Sequence, residues 1–335
     1  MATTFQDIAK YCGVSTATVS NVIRNKGRVS EATRAKVLNA VDDLGYVYNQ
    51  IAANLRNTRS KQIGLIIPDI QNPFYAGVTA GLARHLEKNG YTLFLASCEE
   101  DLERQQYFVD ALHQNSSAGI VFCEARNTSP TLINTLENRQ MPMVQILRSV
   151  DNSNFDFVGI DNVVGGRLAT EHLLQLGHRH IAFIGGEANS KTRALRLEGY
   201  KSAMEAAGCF VPEGYHAMST KKGSRLEGYH ALVELRQSYP KLTAAVCYDD
   251  LTAIGVMRAA DSIGLKPGKG FSVIGFDDIP EASDILPALT TISASSEIGE
   301  KAGELLFERI FGDTSPKKHL LLPPRLIERE SCAAI

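Results

Sequence analysis

The chain has 335 residues, of which 44% are hydrophobic and 21% are charged, and its formal net charge is −2. This composition is ordinary for a globular protein of two or three domains with a large core. It excludes a membrane-spanning chain, because no apolar run approaches the roughly 18 residues that a span needs. The opening MATTFQDIAK lacks the apolar stretch of a secretory signal, so we expect a cytoplasmic protein without a membrane partner.

The six cysteines are scattered along the chain and form no CxxC pair. A metal site or a disulfide framework needs clustered ligands. We therefore expect free, mostly buried thiols, as is usual in a reducing compartment.

The charge is unevenly divided along the chain. Residues 1–61 carry a net charge of +5, and the remainder carries −7. A basic segment at one end is what a nucleic-acid contact would produce. Taken alone, it fits a solvated basic surface as well.

Residues 4–25 have the pattern of a helix-turn-helix. Thr4 and Asp7 form a capping-box pattern before a short first helix, and Gly13 interrupts that helix. Ser15 is a good N-cap for a second helix, whose apolar stripe leaves small and polar side chains without acids on its other face. Such a second helix can enter the DNA major groove, whereas the alternative is an ordinary three-helix bundle.

A third helix is predicted between Ser30, its N-cap, and Gly45, which ends it. The following segment, YVYNQIAANLRNTRSKQ, contains Ile51, Ala52 and Leu55 as a short amphipathic strip. This strip is too brief to be a stable helix alone. We expect it to fold only when it docks on DNA or a partner.

The rest of the chain alternates apolar runs with helical patterns, which predicts an α/β body with parallel sheets. The runs are IGLIIP, YTLFLAS, AGIVFC, MPMVQIL, FVGI, IAFIGG, AAVCY and FSVIGF, and all are expected to be buried on both faces. The predicted helices lie near 76–89, 102–113, 163–176, 193–207, 225–238, 251–263 and 296–311. About 270 residues of this alternation are too many for one small sheet, so two lobes are expected.

Enzyme motifs are missing from the body. GxGxxG, GxxxxGK[ST] and GxSxG do not occur, which disfavours nucleotide-dependent enzymes and hydrolases of those types. The doublets Asp249–Asp250 and Asp277–Asp278 follow predicted strands and could form a glycosidase-like pair. Acids at strand ends more often bind a ligand in the crevice at the carboxyl edge of the sheet.

Three histidines resemble a metal cluster by their number, namely His172, His178 and His180. His178 follows Gly177, where a helix is predicted to end, and a basic residue there suits the helix dipole. We expect structural histidines, and neither a metal nor a cofactor.

At this point the sequence resembles a known family. Residues 8–30, IAKYCGVSTATVSNVIRNKGRVS, and residues 32–56, ATRAKVLNAVDDLGYVYNQIAANLR, are similar to the head and hinge of the lactose-repressor (LacI/GalR) family. The resemblance implies that Thr16, Ala17 and Asn21 face bases and that Leu55 wedges into a minor-groove step, as minor-groove wedges do generally. The full DNA-contacting set that it implies is Thr4, Ser15, Thr16, Ala17, Thr18, Ser20, Asn21, Asn25, Ser30, Asn49, Ala52 and Leu55, with Thr18, Ser20 and Asn25 on phosphates.

The hinge departs from the family pattern at two positions. Tyr48 stands where the family often has proline, and Ala53 stands where it often has arginine.

The body resembles the same family through PDIQNPFYAGVTAGL, LRLEGY, YDDLTAIGVMRAA, VIGFDDI and PRLIERES. The family body is similar to periplasmic sugar-binding proteins, with the ligand held between two lobes. The effector-contacting residues that the resemblance implies are Phe74, Tyr75, Arg148, Asp161, Arg196, Asp249 and Asp277. Carboxylates and arginines suit the hydroxyls of a sugar, and an aromatic ring covers its apolar face. An alternative for Arg196 and Asp277 is a salt bridge between the lobes.

We expect an α/β protein with a three-helix helix-turn-helix head and a two-lobed, periplasmic-binding-protein-like body. The predicted divisions are the head (1–46), the hinge helix and linker (47–61), the first lobe (62–161 and 290–321) and the second lobe (162–289 and 322–335).

The predicted function is that of a homodimeric repressor, not an enzyme. It binds a near-palindromic operator in double-stranded DNA and responds to a small effector, a sugar or sugar phosphate. Within the family, TRALRLEGY and AAVCYDD look most like maltose-regulon regulators. The alternatives are a purine- or nucleoside-responsive member of the family and, from another class, a sugar-binding protein or sugar-processing enzyme.

Overall fold

The computed structural model describes residues 3–23, 25–46, 60–150, 153–219, 224–293 and 295–335. The chain divides into two compact units, residues 1–60 and 61–335. No helix within the described ranges is both long and apolar enough to cross a bilayer.

The N-terminal unit is a bundle of three helices. They are α1 (Phe5–Cys12), α2 (Thr16–Ile23) and α3 (Glu31–Asp43). Their apolar faces meet in one core that includes Ile8, Val19 and Val37, each with no exposed surface. The predicted helix-turn-helix is confirmed.

The helix boundaries of the head follow from local hydrogen bonds. Thr4 and Asp7 form the predicted capping box. The backbone N–H of Thr18 donates to Ser15 Oγ (3.1 Å), and that of Thr33 donates to Ser30 Oγ (3.3 Å). These side chains satisfy N–H groups that have no partner inside the helix.

The C-terminal unit contains the remaining helices and strands. The helices are α4 (Phe74–Lys88), α5 (Leu102–Gln114), α6 (Pro130–Glu137), α7 (Asn162–Gln175), α8 (Lys191–Ala206), α9 (Arg225–Ser238), α10 (Asp250–Ser262), α11 (Pro280–Asp284) and α12 (Ser295–Ile310), with a 3₁₀ turn at Glu213–Tyr215. The strands are β1 (Gln62–Ile67), β2 (Thr92–Ser97), β3 (Gly119–Phe122), β4 (Met143–Ile146), β5 (Asp156–Ile160), β6 (Ile181–Glu187), β7 (His216–Ser219), β8 (Ala244–Cys247), β9 (Ser272–Ile274), β10 (Thr291–Ser293), β11 (His319–Leu322) and β12 (Arg325–Ile327).

The first lobe is built on a parallel sheet with strand order β11-β5-β4-β3-β1-β2. One face of the sheet packs against α4 and α12, and the other packs against α5 and α6. Successive residues alternate between the faces, as Leu65 joins the first core and Ile66 the second. The interior strands therefore carry continuous apolar runs, as the sequence predicted.

The prediction of two buried faces is wrong for β2. This strand lies at the edge of the sheet, and the side chains of Phe94 and Leu95 are 47% and 41% exposed. An apolar run alone does not distinguish an edge strand from a central one.

The second lobe is built on a parallel sheet with strand order β7-β6-β8-β9. Helices α7 and α8 cover one face, and α9 and α10 cover the other. An antiparallel ribbon of β10 and β12 accompanies it. The elements that the sequence did not predict are short or less apolar, namely α6, α11, β7, β10, β11 and β12.

Candidate functional site

A cleft of about 100 Å³ lies between the lobes and is lined by residues that follow strands of both sheets. From the predicted set the lining includes Phe74, Tyr75, Arg148, Arg196, Asp249 and Asp277. This is the carboxyl-edge crevice in which open α/β sheets bind ligands.

Arg196 is held in place at the floor of the cleft. Its Nε donates to Asn162 Oδ1 (2.9 Å), and an Nη donates to the carbonyl of Tyr248. Its guanidinium lies 3.4 Å from the centroid of the Phe276 ring, a cation–π arrangement. The fixed guanidinium directs another nitrogen, Nη2, to within 3.5 Å of Asp277 Oδ1.

The salt bridge expected as an alternative for Arg196 and Asp277 is present. It lies within the second lobe and not between the lobes, because α8 and the end of β9 both belong to the second lobe. Burial raises the pKa of Asp277 to about 7, and the neighbouring Arg196 opposes this rise. The backbone of Asp277 has φ +114°, a region that disfavours side chains and is common at ligand sites.

The neighbouring residues Asp249 and Asp250 make different hydrogen bonds, and only Asp249 lines the cleft. Asp249 accepts from the backbone N–H of Thr252 (2.8 Å) and caps α10 at the cleft, and burial raises its pKa. Asp250 points away, where Thr291 Oγ1 (2.5 Å) and the N–H of Ile279 (2.9 Å) donate to it. Asp250 is therefore a structural residue.

The aromatic wall comes from the start of α4. Phe74 and Tyr75 pack edge to face with ring centroids 5.5 Å apart. Tyr75 is buried, whereas Phe74 is partly buried and packs against the apolar cores of both lobes. Phe74 can therefore contact a ligand and the second lobe together.

A chain of ion pairs that the sequence did not predict joins the two lobes at the cleft. Arg148 donates to both oxygens of Glu100 (3.0 Å each), and Arg126 approaches Glu100 (3.0 Å). Arg126 also pairs with Glu187 of the second lobe. Burial disfavours the Glu100 carboxylate, but the two arginines hold its pKa below the ordinary value. Charged residues in loops are common, so the sequence offered no signal for this network.

Asp161 does not line the cleft. Its carboxylate accepts from the backbone N–H of Val164 (3.0 Å) and caps α7, so the adjacent Asn162 faces the cleft instead. The sequence could not tell which of two neighbouring polar residues would serve as the cap.

The three histidines do not cluster. The His178 ring is hydrogen-bonded to Thr243 Oγ1 and Ser272 Oγ (2.9 Å each), and His180 is hydrogen-bonded to the Tyr215 hydroxyl (3.2 Å). Burial lowers the pKa of His178, so it is a neutral core residue rather than a cation at a helix end.

A different group of potential metal ligands occurs within the described ranges. The ligand atoms of His85, Glu300 and Glu304 lie within 4.8 Å of one another. Lys301 Nζ already donates to both Glu304 oxygens (3.0 and 2.7 Å), which neutralises one of the two carboxylates.

The head presents one polar surface at the turn and along α2. Ser15, Thr16, Ala17 and Asn21 are exposed there, as is Asn25, while Thr18 and Ser20 are partly buried. Thr4 and Ser30 are exposed at the starts of α1 and α3. Asn49, Ala52 and Leu55 lie outside the described residues, as do positions 220–223.

Each of the two units matches the profile of a known protein family. The profile of bacterial regulatory proteins of the lacI family matches residues 4–49, and that of periplasmic binding proteins and the sugar binding domain of the LacI family matches residues 60–330. The HTH-type transcriptional repressor PurR of Salmonella paratyphi A is 33% identical over 332 residues, which cover 98% of this chain and 97% of PurR.

Solved structures with the same fold include three regulators. The lac repressor dimer bound to operator and the anti-inducer ONPF has a TM-score of 0.87 at 26% identity, with 100% of both chains covered. The CelR–cellobiose complex has a TM-score of 0.74 at 29% identity, covering 98% of this chain and 99% of CelR. A LacI family regulator from Enterococcus faecium with bound ribose has a TM-score of 0.72 at 28% identity, covering 82% and 99%. The chain therefore belongs to the lacI family of bacterial regulatory proteins, and it is a DNA-binding transcriptional repressor with an effector-binding domain.

Proposed function

We propose that this repressor is controlled by a sugar or sugar phosphate bound in the cleft. The observation that carries the proposal is the convergence of Arg196, Asp249 and Asp277 opposite the Phe74 ring. Carboxylates and a fixed guanidinium form charge-assisted hydrogen bonds with hydroxyls, and an aromatic ring covers the apolar face of a pyranose. The cellobiose-bound and ribose-bound relatives support this ligand class.

The cleft must change when the effector binds. Its volume of about 100 Å³ is below the roughly 300 Å³ of small ligand pockets. The ligand must therefore displace the Arg126–Glu187 pair or find the lobes further apart. Either change gives the ligand a different affinity for the two lobe arrangements, which is the requirement for shifting their populations.

DNA recognition is proposed for the exposed face of α2. Thr16, Ala17 and Asn21 would read base edges, while Thr18, Ser20 and Asn25 would contact phosphates. Thr4, Ser15 and Ser30, at helix N-termini, suit phosphate oxygens. Asn49, Ala52 and Leu55, although outside the described residues, complete the proposed contact set. The lac repressor is bound to its operator as a dimer. Two copies of this chain would likewise bind operator DNA, at a near-palindromic site, in the cytoplasm and without enzymatic turnover.

The second candidate is a purine effector, which the relatives named PurR favour. A thermal-shift screen of sugars, sugar phosphates, purine bases and nucleosides decides between them. A ligand at about 100 times its Kd stabilises the fold by roughly 2.7 kcal/mol. Stabilisation by purines alone would replace the sugar proposal.

The site assignment has its own test. Asp277→Asn keeps the size of the side chain and removes its charge, and it should bind operator but lose most of its ligand affinity. Calorimetry that gave unchanged affinity would contradict the role of Asp277. Glu198→Gln, an exposed site on α8 outside the cleft lining, is the matched control.

A further inference from the structure

A second, larger cavity adjoins the effector cleft. Its volume is about 520 Å³, and it shares with the cleft a wall that includes Arg126, Leu147 and Arg148. It also has a lining of its own from both lobes, with Glu124 from the first and Lys191 from the second. Substitutions can therefore be chosen that change the lining of one cavity and not that of the other.

Glu124 is an unusual residue for a cavity wall. It is 3% exposed, and one carboxyl oxygen, Oε1, accepts from Gln145 Nε2 (3.1 Å). Gln145 is fixed in turn, because its Oε1 accepts from Ser153 Oγ (2.7 Å). The other oxygen of Glu124, Oε2, has no hydrogen-bond partner among the described residues. A buried polar atom of this kind is costly unless something satisfies it.

Burial raises the pKa of Glu124 to about 8, which the nearby backbone amides and Arg148 oppose. Burial therefore favours the protonated form of this carboxyl. A protonated carboxyl can donate and accept, so it suits a hydroxyl group better than a second anion.

The remaining lining has two distinct chemistries. The start of α8 contributes Ser190 and Lys191, which line this cavity alone, and Thr192, which also lines the cleft. A helix N-terminus next to a lysine favours an anionic group. Phe157 and Leu195 contribute apolar surface, and the Phe157 ring is fixed by stacking on His319 with centroids 4.4 Å apart.

We propose that this cavity is a second ligand site for a small amphipathic organic acid, with its hydroxyl on Glu124 Oε2, its apolar body against Phe157 and Leu195, and its anionic group at the start of α8. The site is distinct from the effector cleft and does not depend on the identity of the effector. Because both lobes line it, an occupant stabilises one arrangement of the lobes and can modify the response to the effector.

The probe for the test is para-hydroxyphenylacetate, titrated into the full-length protein by calorimetry. Phenylacetate lacks the hydroxyl and should bind roughly tenfold more weakly, the loss of one buried hydrogen bond. Tyramine replaces the anionic group with a cation and should bind more weakly still. Absence of heat with para-hydroxyphenylacetate at millimolar concentration, or equal affinity for all three probes, would overturn the proposal.

Substitutions in the two cavities show which of them binds the probe. Glu124→Leu should lose the preference for the hydroxylated probe, and Glu124→Gln should keep it. Asp249 lines the effector cleft but not this cavity, so Asp249→Asn should leave probe affinity unchanged. Should Glu124→Leu not fold, Leu195→Trp places a bulkier side chain in the cavity from α8, leaves Glu124 unchanged and should strongly weaken binding. Loss of binding in Asp249→Asn, with retention in Leu195→Trp, would place the probe in the effector cleft and refute a second site.

Discussion

Arg126 and Glu187 form an ion pair that joins the two lobes across the effector cleft. Both side chains are mostly buried, at 17% and 23% exposure, so salt screens them less than a surface pair. Arg126 is also held by Glu100 (3.0 Å). Glu187 is therefore the residue to change, because its replacement leaves the contact between Arg126 and Glu100 in place.

Glu187→Gln should shift the ligand-free protein toward a more open arrangement of the lobes. Small-angle scattering of the ligand-free variant should give a larger radius of gyration than the wild type. The control is Glu198→Gln, which removes the same charge from an exposed position on α8. An unchanged radius in Glu187→Gln would mean that packing, including Phe74 against both cores, holds the lobes together without the ion pair.

Effector affinity should rise with pH around neutrality. The pKa of Asp277 is raised to about 7, and hydroxyl donors bind a carboxylate better than a carboxylic acid. Affinity should therefore increase as the pH passes upward through 7, and Asp277→Asn should remove the increase. Calorimetry at several pH values around 7 is the measurement. An effector affinity of the wild type that did not change with pH would contradict this prediction.

Asp277 should also make the stability of the folded protein depend on pH, and here the predicted change is a decrease as the pH rises. In the unfolded chain Asp277 ionises near 3.8, but in the folded protein it ionises near 7. Between these values the folded state binds more protons, so the contribution of Asp277 to stability falls as the pH rises from about 4 to 7. Urea denaturation is the measurement: between about pH 4 and 7 the free energy of unfolding should fall less for Asp277→Asn than for the wild type.

Gly199 lies where α7 and α8 cross. A Cβ there would stand 2.0 Å from the carbonyl oxygen of Val163 and 2.7 Å from the backbone nitrogen of Arg167. Gly199→Ala must separate the two helices, and overpacking of this kind costs about 1–3 kcal/mol or more. Gly270→Ala is the control, because its nearest atom is 3.7 Å away. Equal urea midpoints for the two variants would refute the close contact.

The sequence predicted the fold because buried parallel strands and amphipathic helices leave regular apolar patterns. The positions of Asp249 and Asp277 after strands pointed to the carboxyl-edge crevice, whereas the other cleft residues in the predicted set were implied by the family resemblance. The prediction failed where one residue could serve two local roles, as Asp161 caps α7 while Asn162 faces the cleft. It also failed for Glu100 and Arg126, because their partnership depends on tertiary contacts between separate loops.

Asn21 is proposed to read a base, because it is an exposed amide on α2, a helix that can enter the major groove. An asparagine amide can form two hydrogen bonds with adenine, and a lost base contact costs about 1–3 kcal/mol. Asn21→Ala should therefore change the preferred base at one position in each operator half-site. Selection from a randomised operator library is the measurement. Asn39→Ala removes the same amide from the exposed surface of α3 and should leave the selected consensus unchanged. Both variants should retain the steep loss of affinity with salt that phosphate contacts produce. An Asn21→Ala variant that selected the wild-type operator would show that this side chain does not read a base.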